Sequence, residues 1–165
     1  MFHFAKITGD KKAMYEQLLE QTEHLLAGES DWLANLSNAA ALLWMQLPDI
    51  NWAGFYLWRE QQLILGPFQG KPACIRIPLG KGVCGSAARD RQTYLVPNVH
   101  EFPGHIACDA ASCSEIVVPI MDGERLIGVL DIDSPTMGRF DEIDRDYLEA
   151  FIEVLHKHID WSKMA

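Results

Sequence analysis

No run of lysine or arginine interrupts this sequence, and its 14 basic residues are outnumbered by 23 acidic ones, for a net charge of −9. Nucleic acid is thereby excluded as a natural partner, because neutralising phosphates takes clustered cations. No apolar run approaches the ~20 residues of a membrane-spanning helix. The N-terminus, MFHFAKITGDKK, lacks the apolar core and small-residue cleavage site of a secretory signal. Repeats, low-complexity tracts and a domain boundary are all missing, and no pair of cysteines has the tight C-x-x-C spacing of a zinc knuckle. These absences point to a cytoplasmic protein, in which four cysteines rest as thiols rather than as structural disulfides.

What remains is the composition of an ordinary globular chain, 48% hydrophobic and 22% charged over 165 residues. That length buries one core, so residues 1–165 are read as a single domain. Helical spacing of Met14, Leu18, Leu19, Leu25 and Leu26 predicts a helix over 10–27, capped by Asp10 and ended by Gly28. A second helix follows, with Ser30 as its expected N-cap and Pro48 as its stop. The period then changes to two, and strands are expected over 51–58, 63–70, 73–78 and 93–97. Between the last two, 80–90 has a glycine-rich entry followed by small residues, which suits a short helix packed closely on a sheet. Strands 115–121 and 125–134 flank an Asp-Gly hairpin signal. A final helix from Asp141 carries Ile143, Tyr147, Leu148, Phe151, Ile152, Leu155 and Ile159 on its apolar face. The fold class is α+β, a mostly antiparallel central sheet flanked by N- and C-terminal helices.

Chemistry concentrates in the second half. Segment 98–113 is long for an irregular connection, which marks it as functional, and it carries His100, His105, Cys108 and Cys113. In RLIGVLDIDS, Asp131 and Asp133 share one face of a strand, opposite Leu130 and Ile132. Taken alone, such a pair serves equally well as a solvated strand end. Glu115, however, opens the other strand of the same hairpin, and antiparallel pairing brings it to Asp133. Three gathered carboxyls repel one another, so one keeps its proton and donates a hydrogen bond, while the others suit an ammonium guest. Trp52 and Tyr56 also share a strand face, with Gly54 leaving space between them. Such aromatics serve as core packing, or as an apolar wall for a methyl or thioether group.

The thiols allow three readings. His100, His105, Cys108 and Cys113 supply soft metal ligands but at unsuitable spacing, and no metal is expected. A lone nucleophile at Cys108 would need a base and a third, orienting group, and only His105 is near. Redox chemistry fits best: Cys108 is oxidised to a sulfenic acid by an oxygen-bearing substrate, and a second cysteine closes a disulfide on it. Cys74 and Cys84 are candidate partners.

Together INWAGFYL, LGPFQGKPACIRIPLGKGVCG, HIACDAAS, SEIVVPI and IGVLDIDS resemble the free methionine-(R)-sulfoxide reductases, stand-alone GAF-domain enzymes. The similarity covers about 31–160, with 1–30 forming an N-terminal helical region. The resemblance implies that Cys108 is the nucleophile, Cys74 the principal resolving cysteine and Cys84 a third redox cysteine. It further implies a substrate pocket of Trp52, Tyr56, Glu115, Asp131 and Asp133. Cys113 departs from the family pattern and competes as a resolver. On this reading Glu115 and Asp133 donate protons, Asp131 meets the substrate ammonium, Trp52 holds the methyl, and backbone N–H groups hold the carboxylate in the absence of nearby Arg or Lys. Preference for the R epimer, recycling by thioredoxin without a bound cofactor, and a homodimer paired through terminal helices all rest on the resemblance. A GAF small-molecule sensor without thiol turnover is the alternative, though no effector domain is evident in the chain.

Overall fold

Two aspartates start the first two helices. The side chain of Asp10 accepts from the Ala13 N–H at the head of α1 (Lys11–Leu26), and that of Asp31 accepts from Ala34 at the head of α2 (Trp32–Gln46). The cap of α2 is thus one residue later than the expected Ser30. The Ser30 N–H is taken by the Glu29 carboxylate and its carbonyl by the Asp160 N–H, and Asp caps as well as Ser does. The helix ends ahead of Pro48, whose ring disfavours helical backbone in the preceding residue. The computed structural model describes residues 2–105 and 109–164.

Strands β1 (Trp52–Arg59) and β2 (Gln62–Gly70) form a hairpin whose two turn residues, Glu60 and Gln61, both have positive φ, as a twist-compatible two-residue turn requires. The strand expected over 73–78 shrinks to β3 (Arg76–Ile77). Its first half is diverted because the Cys74 carbonyl accepts a hydrogen bond from the Tyr56 hydroxyl. Helix α3 (Gly82–Asp90), β4 (Tyr94–Val96) and a short 3-10 turn (Val99–Glu101) follow. The long hairpin of β5 (Ser114–Asp122) and β6 (Arg125–Ser134) precedes α4 (Glu142–His158). A reciprocal box between Asp141 and Asp144 caps α4. In its first turn the buried position belongs to Asp144, and Ile143, expected on the apolar face, is exposed.

The strands form one antiparallel sheet in the order β3-β2-β1-β6-β5-β4. Strand alternation divides its side chains between two layers. Ala53, Phe55, Leu57, Ile116, Val118, Leu130 and Ile132 join the core made with α1, α2 and α4. Trp52, Tyr56, Val117 and Val129 face the other way, toward α3 and the loops. The first layer holds the molecule together. The second lies under α3 and the loops.

Candidate active site

Register places the polar row. Trp52 pairs with Asp133 across β1 and β6, and Asp133 pairs with Glu115 across β6 and β5. Asp131, two residues back on the same face, lies opposite Gly54 on one side and Val117 on the other. The expected meeting of Glu115, Asp131 and Asp133 is therefore met by the strand pairing itself. Helix α3 crosses this face and brings a buried Cys84, whose Sγ lies 3.9 Å from Glu115 Oε2. Trp52, Tyr56, Cys84 and the three acids line one cavity of about 50 Å³.

Burial in this cavity reshapes the acidity of its groups. Removal from water, then the charges of Asp131 and Asp133, pushes the Glu115 carboxyl well above the usual carboxylate range. Asp133 is pushed well up by burial and by Asp131. Burial also raises Asp131, but hydrogen bonding from Glu115 and Cys84 opposes the rise. Asp131 is thus the acid of the three whose rise is most opposed by its hydrogen bonds. Its Oδ1 is buried and accepts no hydrogen bond from the described residues. Burial, reinforced by Asp131 and Glu115, holds the Cys84 thiol protonated well above its ordinary value. His105 Nε2 approaches Glu115 Oε1 at 3.8 Å, yet burial lowers the His105 pKa while Glu115 is raised. Both shifts disfavour an ion pair between them.

The aromatic wall differs from its expected form. Gly54 does lie between Trp52 and Tyr56, but the space is filled from the neighbouring strand. A Cβ at Gly54 would sit 2.2 Å from the Phe68 Cβ, and Phe68 stacks on Trp52 at 5.1 Å between ring centroids. Trp52 also stacks on Tyr56, at 5.8 Å. Indole Nε1 donates to the Lys71 carbonyl and the Tyr56 hydroxyl to the Cys74 carbonyl, so both aromatics hold the segment that leads into Cys74.

Strand periodicity missed several groups. Lys71 and Lys81 are among the residues lining the cavity, and the Lys71 carbonyl accepts from Trp52 Nε1. His105, Asp109 and Ser112 line it as well. Asn51 Nδ2 donates to Asp109 Oδ2 at 3.2 Å and to Ser112 Oγ at 3.1 Å. Asp109 also accepts from the Ala111 N–H, a local turn whose signal, D-A-A-S, is present in the sequence. Cys113 is fixed by its backbone, donating to the Ser134 carbonyl and accepting from Val99. It is a free thiol, as is Cys84, and its Sγ points to the Ala111 carbonyl. Cys74 is disulfide-bonded. Cys108, the expected nucleophile, lies outside the described residues.

A six-stranded antiparallel sheet with helices packed on one face and a cavity under a helix and loops on the other is the GAF architecture. The GAF domain family matches residues 15–159. A Bacillus subtilis protein, YtsP, is 55% identical over 95% of this chain and 98% of its own length. The free methionine-R-sulfoxide reductase of Escherichia coli is 51% identical over 90% of each chain. The X-ray structure of a free methionine-R-sulfoxide reductase from Neisseria meningitidis, in complex with its substrate, superposes with a TM-score of 0.91 at 46% identity, covering 96% of this chain and 95% of that one. The chain belongs to the GAF-domain family, and within it to the free methionine-R-sulfoxide reductases.

Proposed function

We propose that this protein reduces free L-methionine (R)-sulfoxide to methionine, using its own thiols and no resident cofactor. The observation that carries the reading is the buried row of Glu115, Asp133 and Asp131 beside Trp52, in a cavity flanked by the cysteine-bearing segments. Asp131 Oδ1 offers an unused acceptor for the substrate ammonium. The carboxylate has support from the first turn of α3, which no described side chain caps, with the cationic residues Lys71 and Lys81 at the rim of the cavity. Trp52 supplies an apolar face for the methyl group.

Cys108 attacks the sulfoxide sulfur as the oxygen takes a proton from Glu115 or Asp133. The hydroxyl then passes to the Cys108 sulfur as the S–O bond and the new S–S bond to the substrate sulfur break, so that methionine leaves and Cys108 remains as a sulfenic acid. The thiol of Cys74 then condenses with it, releasing water and forming a disulfide that the dithiol of thioredoxin reduces. Cys74 is preferred as resolver because it forms a disulfide while Cys84 and Cys113 remain free. Free cysteine has a pKa of ~8.5, so attack is concerted with proton donation rather than dependent on a large standing thiolate population. A cytoplasmic location suits thiols that must be reduced after every turnover.

The test separates chemistry from recycling. Each sulfoxide epimer is incubated with the protein, thioredoxin, thioredoxin reductase and NADPH, and methionine is followed by chromatography. Only the R epimer should yield methionine, and Cys108→Ser should yield none. Cys74→Ala should release about one methionine per chain in a single burst and then stop, because attack needs Cys108 alone. Saturable binding of the sulfoxide with no methionine release would leave a ligand-binding GAF domain instead. Normal cycling in Cys74→Ala would move the resolving role to Cys84 or Cys113.

A further inference from the structure

The cavity contains more donor atoms of a soft and hard mixture than an ammonium group needs. A Cys84 sulfur, a Glu115 oxygen and an Asp131 oxygen all lie within 4.8 Å of one another. Glu115 is the centre of this set, 3.9 Å from Cys84 Sγ through one oxygen and 3.8 Å from His105 Nε2 through the other. In a tetrahedral zinc site with metal–ligand bonds of about 2.0–2.3 Å, neighbouring ligand atoms stand about 3.3–3.8 Å apart. Side-chain shifts of about an ångström bring the Cys84, Glu115 and Asp131 atoms to that spacing, whereas His105, on the far side of Glu115, does not complete the cluster. A second observation points to a guest at the same place: Asp131 is only 5% exposed, it lines the cavity, and its Oδ1 has no partner among the described residues. An ammonium ion would explain that oxygen, but it gives the Cys84 sulfur no part beyond its hydrogen bonds to Glu115 and Asp131. Thiolate and carboxylate together are a donor set that suits a borderline-soft cation.

We propose that a zinc-class divalent cation binds in this cavity through Cys84 Sγ, Glu115 and Asp131, with water completing its coordination, and that metal and methionine sulfoxide exclude each other. Binding exchanges the Cys84 thiol proton for the metal, with no change of oxidation state. The metal is an inhibitor here and takes no part in reduction. Only the exclusion of substrate rests on the function proposed above; the site itself rests on the donor geometry.

Cobalt(II) is the probe, since a cobalt–thiolate bond gives a charge-transfer absorption that reports sulfur ligation directly. The protein, held with a reductant that does not ligate metals, should take up one cobalt per chain with this band, and zinc should displace it. Cys84→Ser should abolish the band, and Asp131→Asn should weaken binding by roughly tenfold or more, whereas Cys113→Ser should change neither. Circular dichroism confirms that each variant is folded. Methionine sulfoxide should displace the cobalt, and zinc should inhibit turnover competitively. The site is overturned if no band forms, or if Cys84→Ser and Asp131→Asn both retain it at full affinity. Turnover at full rate by the metal-saturated protein overturns the exclusion. If cobalt binds as described while methionine sulfoxide neither displaces it nor is reduced, the metal site stands and the reductase reading fails.

Discussion

Glu115 illustrates how a residue is made functional by where the chain buries it. A carboxyl at the start of a strand ordinarily ionises, but here burial and two neighbouring acids favour its protonated form. Glu115→Gln keeps the shape and removes the proton, so methionine release should fall roughly 10²–10⁴-fold, the range for losing a general acid. An unchanged rate across pH would shift the donor to Asp133. The same burial ties stability to pH, with a definite sign. Glu115, Asp131 and Asp133 all have pKa values raised in the folded state. Their contribution is complete below the ordinary values of 4.5 for Glu and 3.8 for Asp, and it is lost as pH rises through the folded values. The wild-type melting temperature should therefore lose ground to that of Glu115→Gln as pH is raised from 5 to 8. A gap that stays constant across this range, measured by calorimetry, would show that Glu115 is not held protonated.

At the scale of elements, much of the site is legible in the amino-acid sequence. A period of two puts Trp52 with Tyr56 and Asp131 with Asp133, and the hairpin between β5 and β6 brings Glu115 to Asp133, because register fixes which side chains meet. What periodicity does not carry is the contact between elements distant in sequence. Lys71, Lys81 and Asp109 reach the cavity from loops, and loop paths have no period to read. The cap of α2 falls on Asp31 rather than Ser30, whose carbonyl accepts from Asp160, far along the chain. Gly54 shows the same limit. Its small size is visible in the sequence, but its reason is the approach of Phe68 from β2. Gly54→Ala should drive that strand outward and cost about 1–3 kcal/mol, as overpacking does. A melting temperature lower by roughly 3–10 °C is expected for a chain of this size. Because Phe68 backs Trp52, KM for the sulfoxide should rise as well. A variant of unchanged stability and KM would mean that the hairpin yields freely at this point.

Across the whole molecule, the sheet separates the support of the fold from its chemistry, and this separation can be tested on the side away from the cavity. Asp144, at the head of α4, is fully buried and draws the N-terminal helix onto the C-terminal one. It accepts from the Tyr15 hydroxyl at 2.6 Å, from Lys11 Nζ at 2.7 Å, from Arg139 Nη1 at 3.3 Å and from the Asp141 N–H at 2.8 Å. Arg139 in turn donates to the Pro48 carbonyl, so the network also fastens the segment between α2 and β1. Asp144→Ala removes one carboxylate but strands a buried hydroxyl, a largely buried guanidinium and a helix cap. Breaking a buried ionic cluster in this way costs about 3–5 kcal/mol, or on the order of 10 °C in melting temperature at this chain length. None of these partners lines the cavity. Asp144→Ala, assayed well below its melting point, should therefore keep its kcat/KM within about twofold, whereas Glu115→Gln should keep its fold and lose its rate. A loss of kcat/KM in Asp144→Ala comparable to that in Glu115→Gln would show that the helical layer and the cavity are energetically one unit, with α1 and α4 helping to set the acid row through the sheet between them.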